Sequence, residues 1–206
     1  MPTITSIKPQ KNRKRFNIYL DGKFAFALSA EALVKADLKI DQETTEKDVE
    51  ILRYKDSRDK LYNKALKFLS YRPRSEREVR DYLEKKGGDT KIVEEITGKL
   101  KKQNLVDDHA FTTWWIEQRS RFRPKGKYLL WLELLKKGIK KEIIEDSLFS
   151  EKEELDLAKK AAGKKVKSYK NLEPLEFRRK MTAFLARRGF NWGVIKKVLE
   201  EILKKR

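Results

Sequence analysis

The sequence predicts a mainly α-helical protein, with three tandem three-helix units in an elongated arrangement behind a small N-terminal β-hairpin or antiparallel sheet. Three observations predict it. Two β-prone runs near the N-terminus are joined by Asp21-Gly22, and helical caps and periodicity take over from Ser29. A pattern of leucine, two basic residues and glycine then recurs three times at one interval.

The strands come first. Thr3 to Lys8 alternates weakly, Arg15 to Leu20 alternates well, and Lys23 to Leu28 follows the Asp21-Gly22 pair. Asp-Gly suits a two-residue hairpin turn, because both turn positions need positive φ. A lone hairpin is marginal in water, so this one should pair with the Ile4 segment or dock on the helices that follow. Ser29 then caps a short helix through Ala36, and Thr45 caps another. Ala65, Leu66, Phe68 and Leu69 form the apolar stripe of a longer helix, broken at Arg72-Pro73. Ser75-Glu76-Arg77-Glu78 is a capping box opening a helix that ends at Gly87.

The repeat lies in Leu83-Glu84-Lys85-Lys86-Gly87, Leu134-Leu135-Lys136-Lys137-Gly138 and Leu185-Ala186-Arg187-Arg188-Gly189. Its glycines stand 51 residues apart both times (87 to 138, 138 to 189). An aliphatic pair follows each glycine in register: Ile92-Val93, Ile143-Ile144 and Val194-Ile195. Such a period implies a recurring unit in which one helix stops at glycine and the next packs back on it. Asp89 caps a helix towards Gln103, and Asp107 or Asp108 one towards Arg121. Gly126 precedes a helix ending at Gly138, and Lys140 or Lys141 starts the next. Ser150 caps a long helix through Val166, Pro174 suits a helix start, and Asn191 caps the last. Tyr169 to Glu173 is the expected irregular joint. The expected organisation is residues 1–44 for the hairpin and short helix, then repeats over 45–104, 105–150 and 151–206.

Composition narrows the function. The 206 residues are 39% hydrophobic and 40% charged. No apolar stretch reaches the roughly 18 residues of a membrane span, and Met1 to Thr5 lacks the apolar core of a secretory signal. The absence of cysteine removes disulfides, thiolate metal sites and thiol catalysis together. A cytoplasmic protein is expected. The net charge of +19, from 51 Lys and Arg against 32 Asp and Glu, points to nucleic acid or an acidic protein surface as partner. Solvating helix faces would need both signs but not this imbalance.

Catalytic chemistry finds little support. His109 is the only histidine, and a metal site built on it would need carboxylates as every other ligand. Asp107-Asp108, at a helix start, suits capping better than acid–base work. Lys86-Gly87-Gly88 ends a helix rather than opening one, which is the wrong place for a phosphate loop. No nucleophile–base pair stands out, so the chain is expected not to be an enzyme, with no cofactor or metal. Trp115 falls in register with Phe111 and should be buried, leaving Trp114 to a neighbouring seam or partial exposure. Trp131, Phe184 and Trp192 also read as core residues.

The basic clusters say more. Arg72 and Arg74 flank Pro73, and Arg119, Arg121, Arg123 and Lys125 form a dense run ending at Gly126. Such groups attract phosphates without reading base sequence. Lys85 and Lys86, Lys136 and Lys137, and Arg187 and Arg188 recur at each repeat's helix C-terminus. Cations stabilise a helix end anyway, but regular stacking of the repeats would align them as a periodic basic row. These twelve residues are the candidate nucleic-acid-binding set.

The same segments resemble the RecX family of recombination regulators. Ala65 to Ser70, Arg72-Pro73-Arg74-Ser75-Glu76 and Leu83 to Gly87 look like its opening repeat. Asp107-Asp108, Phe111, Trp115-Ile116, Arg119, Arg121, Gly126, Glu133-Leu134 and Lys137-Gly138-Ile139 look like its middle. Phe184 to Phe190 with Ile195 looks like its closing motif. Departures are the Gly87-Gly88 doublet and Trp115, where another aromatic is common. The resemblance covers about Leu61 to the end, and more weakly the N-terminal hairpin.

It implies a monomeric regulator, mostly an inhibitor, of the RecA recombinase. Such a protein lies in the groove of the RecA filament on single-stranded DNA and limits filament growth, ATP hydrolysis and strand exchange. It also implies direct contact with single-stranded and double-stranded DNA and no membrane partner. The alternative from the residues alone is a stand-alone, sequence-nonspecific nucleic-acid-binding helical module.

Overall fold

The Asp21-Gly22 pair turns the chain as its residue types dictate, with φ of 47° and 78°. In the computed structural model, which describes residues 1–11 and 13–204, this turn joins β2 (Arg15–Leu20) to β3 (Lys23–Ser29). The strand β1 (Ile4–Pro9) pairs antiparallel with β2, giving a three-stranded sheet in the order β1-β2-β3. The expected hairpin therefore takes both of its options: it pairs with the Ile4 segment and also covers itself with helix. The short α1 (Ala30–Lys35), capped by Ser29, and the long α2 (Glu46–Ser70) supply that cover. Ile4, Ile18, Phe26 and Leu28 are buried against Leu33, Leu38, Val49 and Leu52. Asp56 on α2 ties the layers, accepting from the Ser29 backbone N–H and from Arg15, both at 2.8 Å. The separate stripes at Thr45 and Ala65 prove to be one helix of 25 residues, since neither proline nor glycine interrupts residues 46–70.

Ten α-helices are present among the described residues. After α2 come α3 (Glu76–Lys85), α4 (Thr90–Lys102), α5 (Asp108–Phe122), α6 (Lys127–Lys136), α7 (Lys141–Ser147), α8 (Glu151–Val166), α9 (Pro174–Arg187) and α10 (Trp192–Lys204). A single 3₁₀ turn, Lys167–Tyr169, leads into the irregular segment before Pro174. The caps fall where the residue types put them. Asp107, Ser150 and Asn191 each accept backbone N–H groups from the first turn of their helices. Gly87, Gly138 and Gly189 all take positive φ just past a helix end.

The chain divides into two units, Met1–Ser70 with Tyr82–Gly98, and Tyr71–Asp81 with Lys99–Arg206, so α3 and α4 give residues to both. In the first unit, Leu61 and Ala65 of α2 are buried, as are Leu83, Ile92, Val93 and Ile96. There Phe68 stacks on Tyr82 at 4.2 Å between ring centroids.

Apolar clusters pack within the second unit. Phe111, Leu134, Ile139 and Ile144 are covered by Trp114, Trp115 and Trp131. Ala158, Ala161 and Ala162 of α8 let α9 and α10 approach closely, and bury Phe177, Met181, Leu185, Phe190, Val194, Ile195, Val198 and Leu199. Trp192 corrects an expectation: it is 64% exposed. The buried face of α10 is set by residues 194, 195, 198 and 199, and residue 192 lies about 200° round the helix from residue 194. Trp115 is only half-buried, as are Trp131 and Phe184. Its ring roofs the cluster beside Phe111 while its other side meets cations.

Candidate functional site

Within the second unit, the basic segments are set by two joints of the same design. Each forms where the chain leading into a helix meets a leucine–basic–basic–glycine turn from the following repeat. At the first joint, the Ser75 hydroxyl donates to the Lys137 carbonyl oxygen at 2.7 Å, and the Glu76 N–H donates to Asp108 Oδ1 at 2.8 Å. At the second, the Gly126 N–H donates to the Arg188 carbonyl oxygen at 2.9 Å, and the Lys127 N–H donates to Glu154 Oε1 at 3.0 Å. The pairs match 51 residues further on (75 to 126, 76 to 127, 137 to 188). A carboxylate from the next repeat satisfies the first orphan donors of a helix in both cases.

Two glycines make the second joint close. A Cβ on Gly126 would overlap the Gly189 carbonyl, and a Cβ on Gly189, whose φ is +80°, would stand 2.5 Å from Leu129 Cβ. Main chain crosses main chain here, with no room for a side chain between.

The twelve candidate cations divide according to these joints. Glu78 receives both arms of Arg72, at 2.9 and 3.1 Å, together with Lys137. Burial alone would raise the Glu78 carboxyl, but these hydrogen bonds and charges outweigh it and hold the pKa below the usual range. Glu133 on α6 has the same role. It accepts from Trp115 Nε1 and Arg119 Nε, both at 3.0 Å, and from Lys125. Its pKa is also lowered: burial opposes the shift, and the Lys125 and Trp115 hydrogen bonds dominate.

Arg119 and Lys137 lie over the Trp115 ring, at 4.3 and 5.1 Å from its centroid. Burial, then the Arg72 charge, pushes the pKa of Arg74 down. Arg188 donates to the Pro124 carbonyl at 3.1 Å and lies over Phe184. Burial, and then the charge of Arg123, push its pKa down.

Arg121, Arg123, Lys136 and Arg187 are exposed in this unit, as are Lys85 and Lys86 in the first. Lys86 lies 5.7 Å over Tyr82. The structure thus gathers Arg72 and Lys137 on one carboxylate. It gathers Arg123, Lys125, Arg187 and Arg188 around a cleft of about 370 Å3 whose remaining walls are Leu129 and Phe184.

Glu78, Glu133 and Glu154 are the anchors that a search for basic residues passes over. Glu154 carried a signal: it shares the i, i+4, i+7, i+8 stripe of Ala158, Ala161 and Ala162, where an apolar residue is expected. It is buried and also accepts from Asn191 Nδ2 at 3.4 Å. Replacing Glu154 with Leu strands the Lys127 N–H, and is expected to cost about 1–3 kcal/mol, measured by urea unfolding against wild type.

The same helices and turns occur in known proteins. The regulatory protein RecX N-terminal domain model matches residues 2–45, and the models of the first, second and third RecX three-helix domains match residues 62–101, 107–148 and 151–199. The chain belongs to the RecX family. RecX regulatory proteins of Bacillus velezensis and Bacillus subtilis are 39% and 36% identical to it, over 98% of this chain and 78% of theirs. That of Clostridium tetani is 35% identical over 97% of this chain and 94% of its own. A crystal structure of a regulatory protein RecX superimposes with a TM-score of 0.72 at 31% identity, covering 97% of this chain and 100% of that one. RecX from Lactobacillus salivarius superimposes with a TM-score of 0.64 at 28% identity, over 71% of this chain and 96% of that one.

Among the described residues, no group of three or more His, Cys, Asp or Glu is placed to hold a metal ion. No helix there is long and apolar enough to cross a membrane.

Proposed function

We propose that the chain is a monomeric, cytoplasmic, non-catalytic regulator of the cognate RecA recombinase. It binds in the groove of the RecA filament on single-stranded DNA and limits filament growth, ATP hydrolysis and strand exchange. Membership of the RecX family across nearly the whole chain carries this reading. Its folding units are residues 1–44, 45–104, 105–150 and 151–206.

The mechanism is steric and electrostatic, with no bond made or broken. Arg121, Arg123, Lys136 and Arg187, with Lys85 and Lys86, are the exposed cations that meet the polyanionic partner. Arg72, Arg119, Lys125 and Lys137 hold the joints that present them, and Arg74 and Arg188 add their fields. Contacts of this kind are individually modest and salt-sensitive, so single exposed-cation replacements weaken binding by small steps. Strand exchange by the cognate RecA, with and without this chain at fixed DNA, tests the proposal. A fall in joint molecules supports it, and unchanged exchange at every ratio refutes it.

The alternative, a nucleic-acid-binding module acting without RecA, draws on one observation. Phe122 and Tyr128 are 65% and 66% exposed amid Arg121, Arg123 and Lys127, an interleaving of aromatic and basic groups that suits unpaired bases. That module would hinder strand exchange only where it saturates the DNA.

A further inference from the structure

One difference between the two joints leaves cations without their counter-ion. Arg72-Pro73-Arg74-Ser75 leads into α3, and 51 residues on Arg123-Pro124-Lys125-Gly126 leads into α6. Lys137 of the first joint likewise corresponds to Arg188 of the second. Between Arg72 and Lys137 stands the Glu78 carboxylate, bonded to both. The residue 51 positions after Glu78 is Leu129. Arg123 and Arg188 therefore face the same cleft with leucine where the first joint has its carboxylate, and no acidic residue lines that cleft. Lys125 is already engaged by Glu133, which leaves the two arginines and Arg187 uncompensated. Burial first, and then the charge of Arg123, lower the Arg188 pKa.

We propose that the cleft lined by Arg123, Arg187 and Arg188 is a phosphate subsite, in which a backbone phosphate of single-stranded nucleic acid takes the place that Glu78 fills in the first joint. Guanidinium groups suit it, since their planar forks match phosphate oxygens in pairs. The flanking residues favour a polynucleotide over an acidic protein segment. Phe122 precedes Arg123 and Tyr128 precedes Leu129 in the chain, and both are exposed aromatic residues of the kind on which unpaired bases stack. The subsite rests on the nucleic-acid contact in the function proposed above, and its test is read on the protein alone, without RecA.

The decisive variant is Leu129→Glu, which installs the missing carboxylate. Arg123→Gln, at an exposed position, is the second variant and decides the matter if the first folds poorly. Binding of a fluorescently labelled oligothymidine to the full chain is followed by anisotropy across a salt series, with thermal melts as the check on folding. Both variants are expected to bind on the order of fivefold more weakly, with the log–log salt slope reduced by about 0.7 for one lost phosphate contact. Inorganic phosphate should raise the melting temperature of the wild-type protein and not that of Leu129→Glu.

Folded variants that bind the oligonucleotide like wild type would overturn the proposal. If phosphate protects the wild type while oligonucleotide affinity is unchanged in the variants, the cleft takes a free anion and the nucleic-acid assignment falls. If the variants keep oligonucleotide affinity but no longer inhibit RecA, the missing anion is a protein carboxylate, and the assignment falls again. A wild-type protein that leaves strand exchange untouched refutes the proposed function and not the subsite.

Discussion

Replacing Gly126 with alanine is expected to destabilise the second unit by about 2–3 kcal/mol and, on the proposed function, to weaken inhibition of the cognate RecA beyond what the lost stability explains. Gly126 is the N-cap of α6 at φ −75°, an angle any residue adopts, and a cap favours glycine over alanine. Local preference therefore accounts for only part of the loss. The rest arises because the added methyl meets the Gly189 carbonyl and Phe190 N–H, main-chain atoms that cannot rotate away. Relieving that overlap separates the Arg123–Lys125 segment from Arg187 and Arg188. Gly163→Ala is the matched control, since Gly163 lies within α8 with open space around its Cα. That change should stabilise by about 0.5–1 kcal/mol. Thermal and urea unfolding of the two variants side by side distinguish crowding at the joint from a general effect of glycine replacement.

Removing the charge of Glu133 is the second large effect. Glu133→Gln leaves Arg119 and Lys125 sharing a partly buried site without their anion, and Lys125 retains only 14% side-chain exposure. Breaking a fully buried pair costs about 3–5 kcal/mol; discounting for partial solvent access, about 2 kcal/mol is expected at neutral pH. The pH dependence has a definite sign. The folded-state pKa of Glu133 is lowered, so its contribution is present above the ordinary carboxyl value, about 4.3, and disappears as pH falls through the folded value. The gap in unfolding free energy between wild type and Glu133→Gln should thus be full at pH 7 and close as the solution is acidified below that ordinary value. Glu78, lowered by Arg72 and Lys137 against its burial, should behave alike. A gap independent of pH would mean that packing, rather than charge, holds this site.

Much of the architecture was legible because its signals are local. Asp21-Gly22, the caps at Asp107, Ser150 and Asn191, and the three glycines that end helices all act within a few residues of themselves. The 51-residue period likewise marks the repeat in the sequence itself. What stayed hidden depends on long-range contact. Arg119 and Lys137 look like free surface cations in the sequence, yet they flank the Trp115 ring 18 residues apart in the chain. Trp192 looks like core by its residue type, but its place on the first turn of α10 turns it outward. The contrast between Glu78 and Leu129 was written in the same period as the glycines. Its meaning required knowing that Arg72 and Lys137 converge on one carboxylate.

On the proposed function, this chain regulates a RecA filament rather than merely coating DNA. ATP hydrolysis by the cognate RecA on single-stranded DNA, with this protein titrated in, separates the two. Inhibition is expected well below one molecule per RecA protomer, because each bound copy affects filament ends or several coupled protomers. Inhibition that sets in only as the protein saturates the DNA, or none at any ratio, would contradict it.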